Sequence, residues 1–242
     1  VTARLASAPR VPDGAGRISN APKTLARTAG ALYAIVAVLT IFAGLVNTHL
    51  VERGDAAATA DNIVASATLF RIGFVSELTG AAVFLLTGMT LYLLLKHVNQ
   101  MVAAAMVTFV AVSVAIQSLS LLHQYTALTI VTGEDYTRAF GPAGSAQLTM
   151  LFADMQTNAY LIAQVYFGLW LLPLGYLVVR SGYFPKALGV LLMIGCCGHL
   201  VDMFARFLAP GLGADISPFA MVPAAVAELS FIAWLLTRGV RV

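Results

Sequence analysis

Long apolar runs separated by short polar breaks make up most of this chain. Six runs approach or exceed the roughly 20 apolar residues a helix needs to cross a bilayer: 29–50, 69–95, 100–131, 148–179, 187–208 and 219–237. The pattern predicts an all-α fold, a polytopic transmembrane bundle of six helices forming one domain over 29–242. The run at 100–131 is long enough to tilt or to project from the bilayer. Pro173 is expected to kink the fourth helix, because a proline there removes a backbone hydrogen bond. The segments 51–68, 132–147 and 209–218 read as loops on one side. "ERGDAAATADNIVAS" is expected to hold a short surface helix capped by Asp61, while "GEDYTRAFGPAGS" and "APGLGADISP" carry turn residues. No internal repeat relates the two halves, so an inverted-repeat transporter is unsupported.

Composition strengthens this picture. The chain is 60% hydrophobic and only 10% charged, against about a quarter charged in soluble domains, so it has no polar shell with which to cover a soluble core. Residues 1–28 are polar, with Arg4, Arg10, Arg17, Lys23 and Arg27, and lack a signal-like apolar core; they read as a disordered basic cytoplasmic tail. Ten of the 14 Lys and Arg residues fall on the tail side of the predicted bundle, and only Arg53, Arg71, Arg138 and Arg206 on the other. That bias predicts cytoplasmic N- and C-termini, in a multi-pass protein of the bacterial cytoplasmic membrane. The basic residues flank apolar spans without forming a patch, which excludes a nucleic-acid partner. The bilayer is the expected partner, together with a small or lipidic ligand, and a homo-oligomer is compatible. Cys196 and Cys197 are adjacent, so they staple no distant segments. They read as small packing residues, with Gly195 and Gly198 allowing close helix approach.

Several stretches resemble a known family. They are "GDAAATADNIVASATLFRIGFVSEL", "YLLLKHVNQ", "GLWLLPLGYLVVRSGYFPKALGVLL", "GHLVDMFARFL" and "PAAVAELSFIAWLLTRGV". Over about 25 to 240 the chain resembles the bacterial membrane family named domain of unknown function 4386, and "RSGYFPKALG" is the most specific part of the likeness. The resemblance implies a multi-helix membrane protein and carries over no functional residues.

The polar residues inside the spans point to a site. Ionisable groups at hydrocarbon depth cost about 3 kcal/mol each. They nevertheless recur at one level, the outer half of the predicted bundle. Asn47, His49 and Glu52 end the first helix, and Arg71 and Glu77 begin the second. Ser113, Gln117, Ser120 and Gln124 form an i, i+4, i+7, i+11 stripe on the third, with His123 beside it. Asp154 and Asn158 share a face of the fourth, near Thr157 and Gln164. His199, Asp202 and Arg206 follow i, i+3, i+7 spacing on the fifth, and Glu228 lies in the sixth. Lipid cannot satisfy such groups, so they are expected to face one another or water, lining a polar cavity open to the extracytoplasmic side.

Binding, sensing or passing a small or lipidic molecule is the leading reading of that cavity. The second is an intramembrane enzyme acting on a lipid or prenyl chain, through metal-activated water or through a carboxylic acid with Asp202, Glu228 and Glu77 as candidates. The third is an accessory subunit whose polar residues meet a partner helix. No cofactor is specified by motif. Zinc is the leading candidate, ahead of a bis-histidine haem, with His49, His123, His199 and Asp202 as ligands, but HExxH is absent and no two histidines stand at i, i+4.

Overall fold

A computed structural model describes residues 21–241 as an all-helical bundle. The crossing helices are α1 (Ala21–Leu50), α3 (Ala67–Leu95), α4 (Gln100–Thr132), α5 (Glu134–Leu169) continued by α6 (Leu171–Ser181), α7 (Lys186–Leu208) and α8 (Pro210–Thr237); α2 (Ala56–Ala65) is short. Six of these segments, counting α5 and α6 as one, are long and apolar enough to cross a membrane. Large apolar side chains such as Val38, Ile41 and Leu45 are exposed on the outer faces, where a water-soluble bundle would carry charge.

Local chemistry explains the boundaries. Asn99 caps α4 by accepting from the Val102 amide at 3.1 Å. Asp55, not the expected Asp61, caps α2 by accepting from the Ala58 amide at 2.9 Å; Asp61 lies in the middle of that helix. Thr59 of α2 exchanges hydrogen bonds with the Glu52 backbone at 2.9 and 3.1 Å, tying the preceding loop to the short helix. A left-handed glycine, Gly182, ends α6.

Three expected non-helical segments are instead largely helical. Residues 21–28 of the expected tail form the start of α1; residues 1–20, where the rest of that expectation falls, lie outside the described residues. The 132–147 segment is helical from Glu134, whose carboxylate and that of Asp135 suit the positive end of the helix. Only Gly141 leaves helical geometry, at φ 70° and ψ 165° before Pro142. The 209–218 segment opens α8, because Pro210 stands where its missing N–H is not needed. Pro173 offers no N–H to the Leu169 carbonyl, and α5 passes into α6 at Trp170, which keeps helical angles (φ −68°, ψ −26°) and donates to the Tyr166 carbonyl at 3.1 Å.

Around the bundle the neighbours are α1 and α3, α3 and α4, α4 and α5, α5 and α7, α7 and α8, and α8 and α1, with α6 packed mainly on α7 and α4. The end holding the α3–α4 and α6–α7 turns carries Lys23, Arg27, Lys96, Arg180, Lys186, Arg238 and Arg241; we call it the basic end. The half of the bundle nearest to it is mainly apolar inside, and its buried Thr87 hydroxyl donates to the Val83 carbonyl of its own helix at 2.9 Å. Leu91, Leu95, Met106, Leu174, Leu177 and Leu235 are buried there in one apolar cluster. Aromatic rings close the top of that cluster: Trp170 meets Phe84 edge-on at 5.0 Å and Tyr33 at 5.5 Å, and Phe84 meets Phe167 at 5.9 Å.

Candidate functional site

Beyond the rings, at the end opposite the basic one, the helices enclose a cavity of about 610 Å³, a size typical of small-molecule sites. Thr40, Asn47 and Thr48 of α1 line it, with Glu52 and Arg53 just past that helix. Glu77 of α3, then Gln156, Thr157, Tyr160 and Gln164 of α5, form further wall. Asp202 and Arg206 of α7, with Ser217 and Met221 of α8, complete it. Five crossing helices thus contribute polar atoms at one level.

The α7 wall is the most tightly ordered. Gln164 Nε2 donates to Asp202 Oδ2 at 2.7 Å, and Arg206 Nε donates to Asp202 Oδ1 at 3.1 Å. Arg206 also donates to the Ser217 hydroxyl. The chain can make this arrangement because Gly213 packs directly on the Arg206 backbone, so α8 doubles back across the end of α7. The i, i+4 spacing of Asp202 and Arg206 is therefore a true ion pair, embedded in contacts from α5 and α8.

One turn deeper, Glu228 of α8 is held from two helices. The Tyr33 hydroxyl donates to Glu228 Oε2, and His199 Nε2 lies 3.3 Å from Glu228 Oε1. His199 reaches this position through two close helix contacts. A methyl group on Gly168 would overlap His199 Cβ, and one on Gly198 would overlap the Ala220 carbonyl. His199 Nδ1 is buried without a hydrogen-bond partner. Glu228 and His199 lie outside the cavity lining.

The opposite side is looser: Glu77 lines the cavity, whereas Ser113, Gln117, Ser120 and Gln124 of α4 stand outside its lining, and Gln124 borders a second, smaller groove. Glu77 is buried, at 4% exposure, and its recorded side-chain partner is Gln117 Nε2 at 3.5 Å, the outer limit of a hydrogen bond. Gln124 Nε2 donates to Asn47 Oδ1 at 3.1 Å, while Gln124 Oε1 is buried and unpartnered. Ser113 and Ser120 of the same stripe spend their hydroxyls on their own helix, donating to the Val110 and Gln117 carbonyls at 2.7 Å each.

Other sequence candidates fall elsewhere. His49 is exposed at the end of α1, and Asp154 and Asn158 are exposed on the outward face of α5; the residues of α5 that reach the cavity are Gln156, Thr157, Tyr160 and Gln164. Arg71 lies on a separate groove of about 220 Å³ between α3 and α4, with Phe74, Tyr125 and Leu128. His123 stacks on Phe152 between α4 and α5, with rings 6.3 Å apart. The four candidate zinc ligands, His49, His123, His199 and Asp202, are thus not gathered. Among the described residues no three His, Cys, Asp or Glu side chains are placed to hold a metal ion.

Tyr33, Tyr160, Gln156, Ser217 and Met221 belong to the polar level but did not stand out in the sequence. The tyrosines are hidden within apolar runs, where an aromatic ring reads as packing. The one available signal was their helical register, since Tyr160 stands four residues before Gln164.

Six membrane-length helices around a one-sided polar cavity define a multi-pass membrane protein. The chain belongs to the family described as domain of unknown function 4386, whose profile matches residues 28–239. It is also similar to an uncharacterized protein of Archaeoglobus fulgidus, at 35% identity over 78 residues. That match covers 32% of this chain and 44% of the relative. No solved structure gives a significant match.

Proposed function

We propose that the cavity is a ligand site on the extracytoplasmic side of a bacterial cytoplasmic membrane, binding a small or lipidic molecule. The observation that carries this reading is the confinement of polar groups. Five crossing helices present polar atoms to a single space of about 610 Å³, while the half of the bundle near the basic end has an apolar core. Polar contacts serving only as interhelical glue average about 0.6 kcal/mol each and have no need to gather around an open volume. The excess of Lys and Arg at the basic end supports the orientation, with that end in the cytoplasm. The rings of Tyr33, Phe84, Trp170 and Phe167 under the cavity favour retention or sensing of a ligand over its passage.

An enzymatic reading has one observation in its favour, the Glu228–His199 contact flanked by Tyr33. Because that group is outside the cavity lining, binding remains the better-supported function. Native mass spectrometry of the protein purified in mild detergent tests it. The expected result is a discrete retained molecule that is lost when Thr157→Trp fills the cavity while the helical signal is unchanged. A wild-type protein that retains nothing and gains no thermal stability from extracted lipids would overturn the reading.

A further inference from the structure

We propose that Glu77 is the counter-ion for a primary ammonium group, which the cavity binds either as a free amine or as part of a lipid head group. The inference rests on the reading of the cavity as a ligand site and names the chemistry of what it takes.

Apart from Glu52, which lines the cavity but is exposed to solvent, the carboxylates of the polar level differ in how they are satisfied. Asp202 has both oxygens engaged, by Gln164 and by Arg206. Glu228 is held by Tyr33 and His199. Glu77 has neither arrangement. It is 4% exposed, it lines the cavity, and it is absent from the ion pairs recorded among the described residues, which are Arg138–Asp135, His199–Glu228 and Arg206–Asp202. Its recorded hydrogen bond, to Gln117, is 3.5 Å long. A buried carboxylate is stable when paired with a cation and well hydrogen-bonded, and here the open side of the carboxylate is the cavity itself.

The surrounding wall suits an ammonium group. Tyr160 offers a ring in the same lining, and a cation gains further attraction over an aromatic face. Thr40 and Thr157 hydroxyls and the Gln156 carboxamide are acceptors that an N–H group can reach from the same space. A primary ammonium carries three donors, matching a carboxylate and neighbouring neutral oxygens better than a quaternary one can. An anion fits this wall poorly, because Arg206 is already committed to Asp202 and Ser217, which leaves Arg53 as the other arginine of the lining.

The test uses the full chain in nanodiscs, in two arms. In the first, the discs hold equal amounts of phosphatidylethanolamine, phosphatidylglycerol and phosphatidylethanolamine with its amine acetylated, and native mass spectrometry reads which lipid stays with the protein. In the second, the discs hold phosphatidylglycerol alone, and n-butylammonium is titrated against n-butanol with thermal unfolding as the readout. The expected result is a preference for the amine of about tenfold or more, equivalent to about 1.4 kcal/mol, in one arm or both. The first arm identifies a head group and the second a free amine. Glu77→Gln should abolish the preference, and Asp154→Asn, outside the cavity, should keep it. Equal binding of the amine and its neutral counterpart by the wild-type protein overturns the proposal, whether or not any variant folds. If neutral or anionic molecules bind as well as the amine does, the ligand site stands and the ammonium assignment falls. If nothing binds in either arm, both fall.

Discussion

Gln164 Nε2 and Asp202 Oδ2 lie 2.7 Å apart across α5 and α7, and the same carboxylate pairs with Arg206 at 3.1 Å. Asp202 therefore joins two helices as well as neutralising a charge. Asp202→Ala should cost about 2 kcal/mol, less than the 3–5 kcal/mol of a fully buried pair, because 27% of the Arg206 side chain is exposed. Asp202→Asn should cost less, since an amide oxygen can still accept from Gln164. Thermal unfolding in detergent should rank the wild type above Asp202→Asn and that variant above Asp202→Ala. The reverse order would mean that the ion pair contributes nothing.

Tyr33 joins α1 to α8 through Glu228 and packs on Trp170. Tyr33→Phe removes the hydroxyl alone and should cost about 1 kcal/mol. Near-UV circular dichroism should keep its aromatic signature in this variant, because the ring contacts persist. A lost signature would show that the hydroxyl, and not ring packing, orders the apolar half.

Two glycines predict opposite outcomes for one substitution. At Gly198 a methyl group would meet the Ala220 carbonyl, whereas at Gly44 the added carbon would meet nothing within 4 Å beyond the backbone of its own helix. Gly198→Ala should lose about 1–3 kcal/mol through overpacking, and Gly44→Ala, inside a helix with room for the methyl group, should leave stability unchanged or raise it by up to about 1 kcal/mol. Equal unfolding temperatures for the two variants would contradict the close α7–α8 approach.

That contrast marks what was legible in the sequence. The six crossings were, because length and hydropathy decide them, and so were the helix neighbours Asp202 and Arg206, whose spacing alone brings them together. Asp154 and Asn158 were placed on one face by the same reasoning, but periodicity does not say whether a face turns inward, and this one turns outward. Glycine and proline at 132–147 and 209–218 suggested loops. Non-helical backbone there is confined to Gly133, Gly141 and Ala209, and Pro210 begins a helix. Glu77 was a candidate from its depth. That it differs from Asp202 and Glu228 in lacking firm partners depends on long-range contacts, which no local pattern encodes.

The scattered donors carry a prediction about metals. With His49 exposed and His123 stacked on Phe152, a chelator should leave the unfolding temperature unchanged, and purified protein should hold well under one transition metal per chain. Stoichiometric zinc lost on His199→Ala would require a rearranged bundle.

Orientation is open to direct labelling. In a Cys196→Ala, Cys197→Ala background, Thr48→Cys at the cavity should react with a membrane-impermeant maleimide in intact cells. Lys186→Cys at the basic end should react only after permeabilisation. The opposite pattern would turn the cavity toward the cytoplasm.

Gly30 of α1 packs so closely on Leu235 of α8 that an added methyl carbon would lie 2.8 Å from Leu235 Cβ. Farther along, the two helices face each other across the cavity. Elsewhere α1 is keyed to α3, with Gly73 against Val46, and α8 is keyed to α7 through Gly198 and Gly213. A rigid swing of α1 against α8 would therefore turn about the Gly30–Leu235 contact. Some 20 residues of α1 extend past Gly30, a lever arm of about 30 Å, so a swing of roughly 5° moves the tip by about 2.6 Å. A displacement of that size would approach the width of a water molecule and would widen the cavity mouth without breaking a helix.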